Sequence, residues 1–289
     1  MPSGVSSFAS DMLRLTLVEG LGPVTIARAL VAFGSARAVM NASIRELAQL
    51  QGVGERKAET IRRGLDRSDD ALRTELDLAH SLNVRVVAKG EDAYPPLLEH
   101  TPSAPVVLYA RGAFDPSRDL YSVGIVGSRR ATHYGVEQTT RFAHALAQSG
   151  LTIVSGGARG VDTSAHRAAL TVPDGRTVAV LGCGLANCYP PENAALFDEI
   201  VARGGAIVSE LPLRTGPSAE NFPARNRIIS GMSLGVLVIE APLKSGALIT
   251  ARYAAEDQGR EVLAVPGRVD SPASEATNEL IKTGSAAIA

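Results

Sequence analysis

At 289 residues the chain is long enough for roughly two domains of ~100–200 residues each. A formal net charge of −1 excludes a surface that is basic throughout, the footprint of many non-specific DNA binders, yet leaves room for a local basic groove. No apolar run approaches the ~20 residues that a membrane span needs. The only cysteines, Cys183 and Cys188, lack partners at zinc spacing, which excludes a disulfide framework or a zinc site and fits thiols in a reducing cytoplasm.

The amino-terminal stretch Met1-Pro2-Ser3-Gly4-Val5-Ser6-Ser7 carries no charged start followed by an apolar block, so no secretory signal is expected. Residues 12–66 read as short helices separated by two similar turns. Gly20-Leu21-Gly22 precedes one helix and Gly52-Val53-Gly54 another, each followed by Ala and Ile at helical spacing. The pattern resembles tandem helix-hairpin-helix motifs, in which glycines bring helix-terminal amides close to a phosphate. Arg56 and Lys57 in the second hairpin favour DNA contact; a small SAM-like module whose glycines merely close hairpins is the alternative. A helix over 69–82 is expected to start from a cap at Ser68-Asp69-Asp70. The expected division is a helical domain over 1–68 and a larger domain over 69–289.

The larger domain opens with short strands at Val84–Ala88 and Val106–Tyr109. Apolar β-rich runs follow at 123–126, 152–154, 178–181, 206–208, 236–239 and 262–265, alternating with helix-length segments at 136–148, 163–170, 193–203 and 248–258. Continuous apolar strands alternating with helices predict an α/β fold: a parallel sheet with helices on both faces. Every strand-to-helix loop of such a sheet emerges at its carboxyl edge, where helix N-termini and turn amides form an anion-binding crevice. The loops expected there include Gly127-Ser128-Arg129-Arg130, 155–162 and 240–250. Asn221-Phe222-Pro223-Ala224-Arg225-Asn226-Arg227 reads as an exposed turn ahead of an apolar helix.

These loops exclude several chemistries. The first lacks G-x-G-x-x-G, and the second strand ends without a ribose-binding acid, which argues against NAD. No G-x-x-x-x-G-K-[ST] occurs, so P-loop hydrolysis has no support. Asp162 and His166, four residues apart, could pair as carboxylate and imidazole, but a helix-capping aspartate and a locally bonded histidine account for them as well. Glu210 and Glu240 end successive strands and read as loop organisers rather than catalysts. Neither catalytic residues, a metal nor a cofactor is therefore expected. Arginines beside small residues at helix N-termini suit bidentate phosphate contact, and Phe222 offers either a stacking face for an unpaired base or a hydrophobic pin for its loop.

Gly127-Ser128-Arg129, 155–162, Tyr189-Pro190-Pro191-Glu192-Asn193, 221–233, 245–251 and 259–267 occur in an order and spacing that resembles the DNA-processing protein A (DprA or Smf) family over nearly all of 84–284. The resemblance implies an extended Rossmann-like domain, a mostly parallel sheet with helices on both faces, that binds and protects single-stranded DNA, dimerises, and loads the RecA recombinase onto incoming strands during natural transformation, in the cytoplasm and without a membrane. It places Ser128, Arg129, Phe222, Arg225, Asn226 and Arg227 in the DNA pocket, with Gly127 and Lys244 of neighbouring edge loops completing the expected contact set. Relatives often carry a basic residue just after Tyr-Pro, where this chain has Pro191 and Glu192, so less of the strand path is expected there. Many relatives also continue into a winged-helix domain beyond the point corresponding to Ala289. A nucleotide hydrolase of the lysine-decarboxylase-like group would share the fold, but its Pro-Gly-Gly-x-Gly-Thr loop is absent. A scaffold that binds duplex through the hairpins is a third reading. Ala276, Leu280 and Ile281, at helical spacing, are expected to form an apolar dimerisation stripe.

Overall fold

The computed structural model describes residues 5–289; the first four residues of the stretch read for a secretory signal lie outside the described residues. Six helices come first: α1 (Ser7–Thr16), α2 (Pro23–Phe33), α3 (Ala36–Asn41), α4 (Ile44–Ala48), α5 (Glu55–Asp66) and α6 (Ser68–Ser81). Gly20 and Gly52 adopt φ of +87° and +81°, a left-handed turn open to glycine at little cost. Two residues on, Gly22 and Gly54 cap α2 and α5, the geometry expected of tandem hairpins.

The start of α6 differs from expectation. Ser68 lies inside the first turn, donates to the Leu65 carbonyl at 2.6 Å and accepts from Arg14 Nε at 2.6 Å. It therefore fastens α6 to α1 instead of capping, and Asp69 and Asp70 supply the negative charge that favours a helix start.

The strands are β1 (Val84–Ala88), β2 (Val107–Gly112), β3 (Ser122–Val126), β4 (Thr152–Ser155), β5 (Thr177–Val180), β6 (Ala206–Ser209), β7 (Gly235–Val238), β8 (Glu261–Ala264) and β9 (Ala287–Ile288). They form one sheet in the order β1-β2-β6-β5-β4-β3-β7-β8-β9. Pairing is antiparallel from β1 to β2 and from β2 to β6, and parallel elsewhere. Short helices α7 (Pro96–Glu99) and α8 (Pro116–Asp119) flank β2. The crossovers carry α9 (His133–Gln148), α10 (Val161–Leu170), α11 (Ala194–Ala202), α12 (Asn221–Gly231) and α13 (Ala247–Arg252), the last continued by a π turn over Tyr253–Asp257; α14 (Glu275–Lys282) precedes β9.

Strand alternation explains the layering. Ile125, Ile153 and Leu237 face Ala143 and Ala147 of α9 and Ala165 and Ala168 of α10. Their neighbours Val126, Val154 and Val236 face Ile228 and Ile229 of α12, Ala251 of α13 and Ala276 of α14. Apolar residues on both faces bury a strand twice, which is why these runs read as continuously hydrophobic. Full burial of a Val, Leu or Ile side chain stabilises by about 1.5–3 kcal/mol against about 0–1 for an exposed ion pair, so the two apolar layers hold the sheet together.

The helical residues do not form a separate core. Leu13, Leu15, Leu47 and Ile61 share one apolar cluster with Val84 and Val86 of β1, Val107 and Tyr109 of β2, and Leu213. Glu75 of α6 reinforces the contact by accepting the Leu213 N–H at 2.7 Å. No helix of the described residues is long and apolar enough to cross a membrane.

Candidate nucleic-acid interface

The strand order reverses at β3, with β4 on one side and β7 on the other, so the loops after β3 and β7 diverge and leave a crevice between them. A pocket of about 1050 Å³ occupies that place, walled by Gly127–Arg130, the start of α12, and Pro242 with Ser245–Ala247. The long helices α9 and α12 begin at its wall, which contains Thr132 and Phe222, so the positive ends of their dipoles lie beside it.

The Gly127 loop is held by backbone. Ser128 donates its N–H to the Glu240 carbonyl at 2.7 Å and accepts from Val161 N–H at 3.2 Å. Gly160, at φ +72°, packs so closely that a Cβ there would overlap the Ser128 carbonyl. Below the loop, the buried Glu240 carboxylate accepts the Thr132 N–H at 2.8 Å and its hydroxyl at 2.7 Å. Glu240 is thus the loop organiser expected of it. Held this way, the exposed Arg129 lays its guanidinium 4.8 Å from the Phe222 ring centroid. Among the described residues Arg129 has no ion pair or side-chain hydrogen bond.

Phe222 rests on Gly182, where a Cβ would come within 2.7 Å of the ring, and its ring lies 5.5 Å from that of Tyr189. Tyr189 also lines the pocket. Tyr189 belongs to the Tyr189-Pro190-Pro191-Glu192-Asn193 motif, which by itself assigns the ring no contact. Only the tertiary approach of the 182–190 and 209–220 loops, joined by Gly184 N–H to Thr215 O at 2.8 Å and Ala186 N–H to Leu213 O at 3.0 Å, brings the two rings together.

The segment read as an exposed turn is a helix: 221–231 form α12. Pro223 falls in its first turn, where the amide has no helical acceptor and proline removes nothing. This changes where the arginines sit. Arg225 is buried, 4% exposed; its Nη1 donates to Gly156 O at 2.6 Å and to Val180 O. Asp162 lies beside it, both side chains coming within 2.7 Å of a Cβ placed on Gly156. Burial lowers the Arg225 pKa to about 10 and raises that of Asp162 against the pull of Arg225, so at neutral pH the guanidinium stays charged. Arg225 edges the pocket floor, but its hydrogen bonds tie α12 to β5 and the β4 loop.

Arg227, two residues on, turns to the opposite side of α12. It pairs with Glu210 at 2.7 Å, donates to Ser103 O at 3.1 Å, and lines a second pocket beside α2 rather than the crevice. Asn226 does line the crevice and donates to Gly246 O at 3.1 Å, joining α12 to the β7 loop. Lys244 stands exposed on that same loop, next to the lining residue Ser245. The crevice therefore gathers Gly127, Ser128, Arg129, Phe222, Arg225 and Asn226, has Lys244 at its rim, and leaves Arg227 outside.

Asp162 and His166 do not bond each other. Asp162 accepts the Ala158 N–H at 3.2 Å, and His166 Nδ1 shares a 2.7 Å hydrogen bond with Thr177 Oγ1. Burial, with Arg225 nearby, pushes the His166 pKa down to about 3, so the ring is neutral. The expected dimerisation stripe is also used internally. Ala276 is buried in the core and Leu280 and Ile281 pack against it, because the helical spacing that makes a stripe suits a sheet face as readily as a partner.

The family whose model matches residues 85–289 is described as DNA recombination-mediator protein A, and a SAM-like helix-hairpin-helix tandem matches 12–67. Protein Smf of Synechocystis sp. is 41% identical over 282 residues, 96% of this chain and 69% of the relative. Protein Smf of Escherichia coli is 46% identical over 202 residues, 70% of this chain and 53% of the relative. The chain thus spans only about half to two thirds of these relatives' lengths. DNA processing protein A of Streptococcus pneumoniae superposes with a TM-score of 0.83 at 31% identity, covering 99% of this chain and 95% of that one. DNA processing protein A of Helicobacter pylori, a structure described for its single-stranded DNA binding mode, gives 0.61 at 32% identity over 72% of this chain and 91% of that one.

Proposed function

The chain belongs to the DNA recombination-mediator protein A family, and from that premise we propose that it binds single-stranded DNA in the crevice at the carboxyl edge of its sheet. One observation carries this reading: Arg129, free of any acidic partner among the described residues, lies against Phe222 at the mouth of a pocket flanked by helix N-termini. A guanidinium there meets a phosphate while the rings of Phe222 and Tyr189 meet a base. Stacking of that kind needs an exposed base face, worth about 1–3 kcal/mol per base, and a duplex hides its faces. Gly127 and Ser128 supply close backbone approach, Asn226 a polar wall and Lys244 a rim charge. Arg225 supports the floor, and Arg227, bonded to Glu210 and Ser103, anchors α12 from the side away from the crevice.

The protein acts by binding, not by turnover. It protects incoming strands and loads RecA recombinase onto them during natural transformation, working in the cytoplasm as a homodimer that offers one strand two crevices. A strand held in one crevice meets the second at high effective concentration. The helical domain over 1–68 adds sequence-independent phosphate contacts through Arg56 and Lys57, and the domain over 69–289 carries the main site.

Fluorescence anisotropy with single- and double-stranded oligonucleotides of equal length and sequence tests this reading. Tighter binding of the single strand is expected, together with faster RecA nucleation on it when the protein is present. Equal or tighter binding of the duplex overturns the reading.

A further inference from the structure

Resting on the single-strand reading above, we propose that Arg159 is a second phosphate-binding group of the crevice, and that Glu192 is the counter-charge that limits its use. Arg159 follows the lining residue Ala158 in the β4 loop, and the next residue, Gly160, touches the Arg129 backbone. Two adjacent loops thus each place one arginine against one of two adjacent rings: Arg129 at 4.8 Å from Phe222, and Arg159 at 5.9 Å from Tyr189. The rings are themselves 5.5 Å apart. The two halves differ in charge. Arg129 is unpaired among the described residues, whereas Arg159 gives Nε and Nη2 to the two carboxylate oxygens of Glu192, the second at 3.0 Å.

A carboxylate held by a guanidinium fork occupies the place a phosphate oxygen pair would take. This pair is displaceable because Arg159 and Glu192 are 49% and 50% exposed, unlike the enclosed Arg176–Asp119 pair at 3% and 4%. Exposed pairs are weak and open readily to a competing anion. The exposed Arg268–Asp270 pair joins residues two apart in one loop and lies against no aromatic ring, so it offers no comparable site. Glu192 therefore keeps half of the two-arginine, two-ring cluster neutral until a strand's own phosphate replaces it. This makes it a residue that sets the affinity and salt sensitivity of the crevice.

The test is a salt titration of oligothymidylate binding by wild type, Glu192→Gln, Arg159→Gln and the double variant, each checked for an unchanged melting transition. Glu192→Ala serves as a second removal of the charge. Loss of the carboxylate is expected to tighten binding about twofold to fivefold at low salt, the weight of one exposed pair. It also steepens the log–log salt slope by about 0.7, one further phosphate neutralised on a single strand. Arg159→Gln in the Glu192→Gln background abolishes that gain. Wild-type affinity and slope in both Glu192 variants overturn the proposal, as does a gain that survives loss of Arg159. Absence of single-strand binding by wild type, in contrast, refutes the single-strand reading itself.

Discussion

Arg129 and Arg225 looked alike in sequence, both beside small or polar residues and both suited to phosphate. Burial separates them. Arg225, with its donors committed to Gly156 and Val180 and its charge beside Asp162, is an internal strut. Arg225→Ala leaves the Gly156 and Val180 carbonyls without their guanidinium donor and removes the positive charge beside Asp162, so it is expected to cost about 1.5–3 kcal/mol of stability in urea melts. Any loss of DNA binding follows from that, and a well-folded variant of unchanged stability would contradict this assignment. Phe222→Ala is expected to act the other way, leaving the fold intact and weakening single-strand affinity by about 1–3 kcal/mol, read by anisotropy. His166 supplies a pH prediction. Its folded pKa, about 3, lies below the ordinary value near 6.5, so the unfolded chain binds the extra proton between those values. Its contribution to stability is present above about 6.5 and is lost as pH falls toward 3. His166→Asn should flatten the pH dependence of unfolding in that window; Asp162, with its raised pKa, slopes oppositely in both proteins and drops out of the comparison.

At the scale of elements, periodicity located the strands β1 to β8 and the helices α9, α10 and α11 to within a few residues, because burial on both faces leaves a signal that needs no tertiary information. Tertiary packing decided α12 and α14 instead. Helix α12 absorbed the apparent Asn221–Arg227 turn because Pro223 falls in a first helical turn. The α14 stripe of Ala276, Leu280 and Ile281 met its own sheet, so Leu280→Glu is expected to lower the melting temperature rather than to dissociate a dimer cleanly, as light scattering alongside a thermal melt will show. The pairing of Phe222 with Tyr189 was invisible because residues more than thirty apart meet only once two loops pack. Gly160 links element to site most directly. Its positive φ and the nearby Ser128 carbonyl leave no room for a side chain. Gly160→Ala should therefore displace the 127–130 loop and reduce both stability and single-strand affinity; normal affinity in that variant would show the loop's position to be unimportant.

At the scale of the whole molecule, the helix-hairpin-helix pattern and the α/β alternation were both legible, but the apolar seam joining the helices to β1 and β2 was not. Leu13, Ile61, Val86 and Tyr109 enter one cluster through contacts that no local pattern encodes. We therefore propose that a fragment beginning at residue 84 exposes that seam and melts well below the full chain, even though its crevice residues are all present. Strand binding in the crevice is tested most directly by the salt dependence of single-strand affinity in wild type and Arg129→Ala. Removing one phosphate contact should weaken binding and reduce the log–log slope by about 0.7. An Arg129→Ala protein with an unchanged melting transition, affinity and slope would contradict the account.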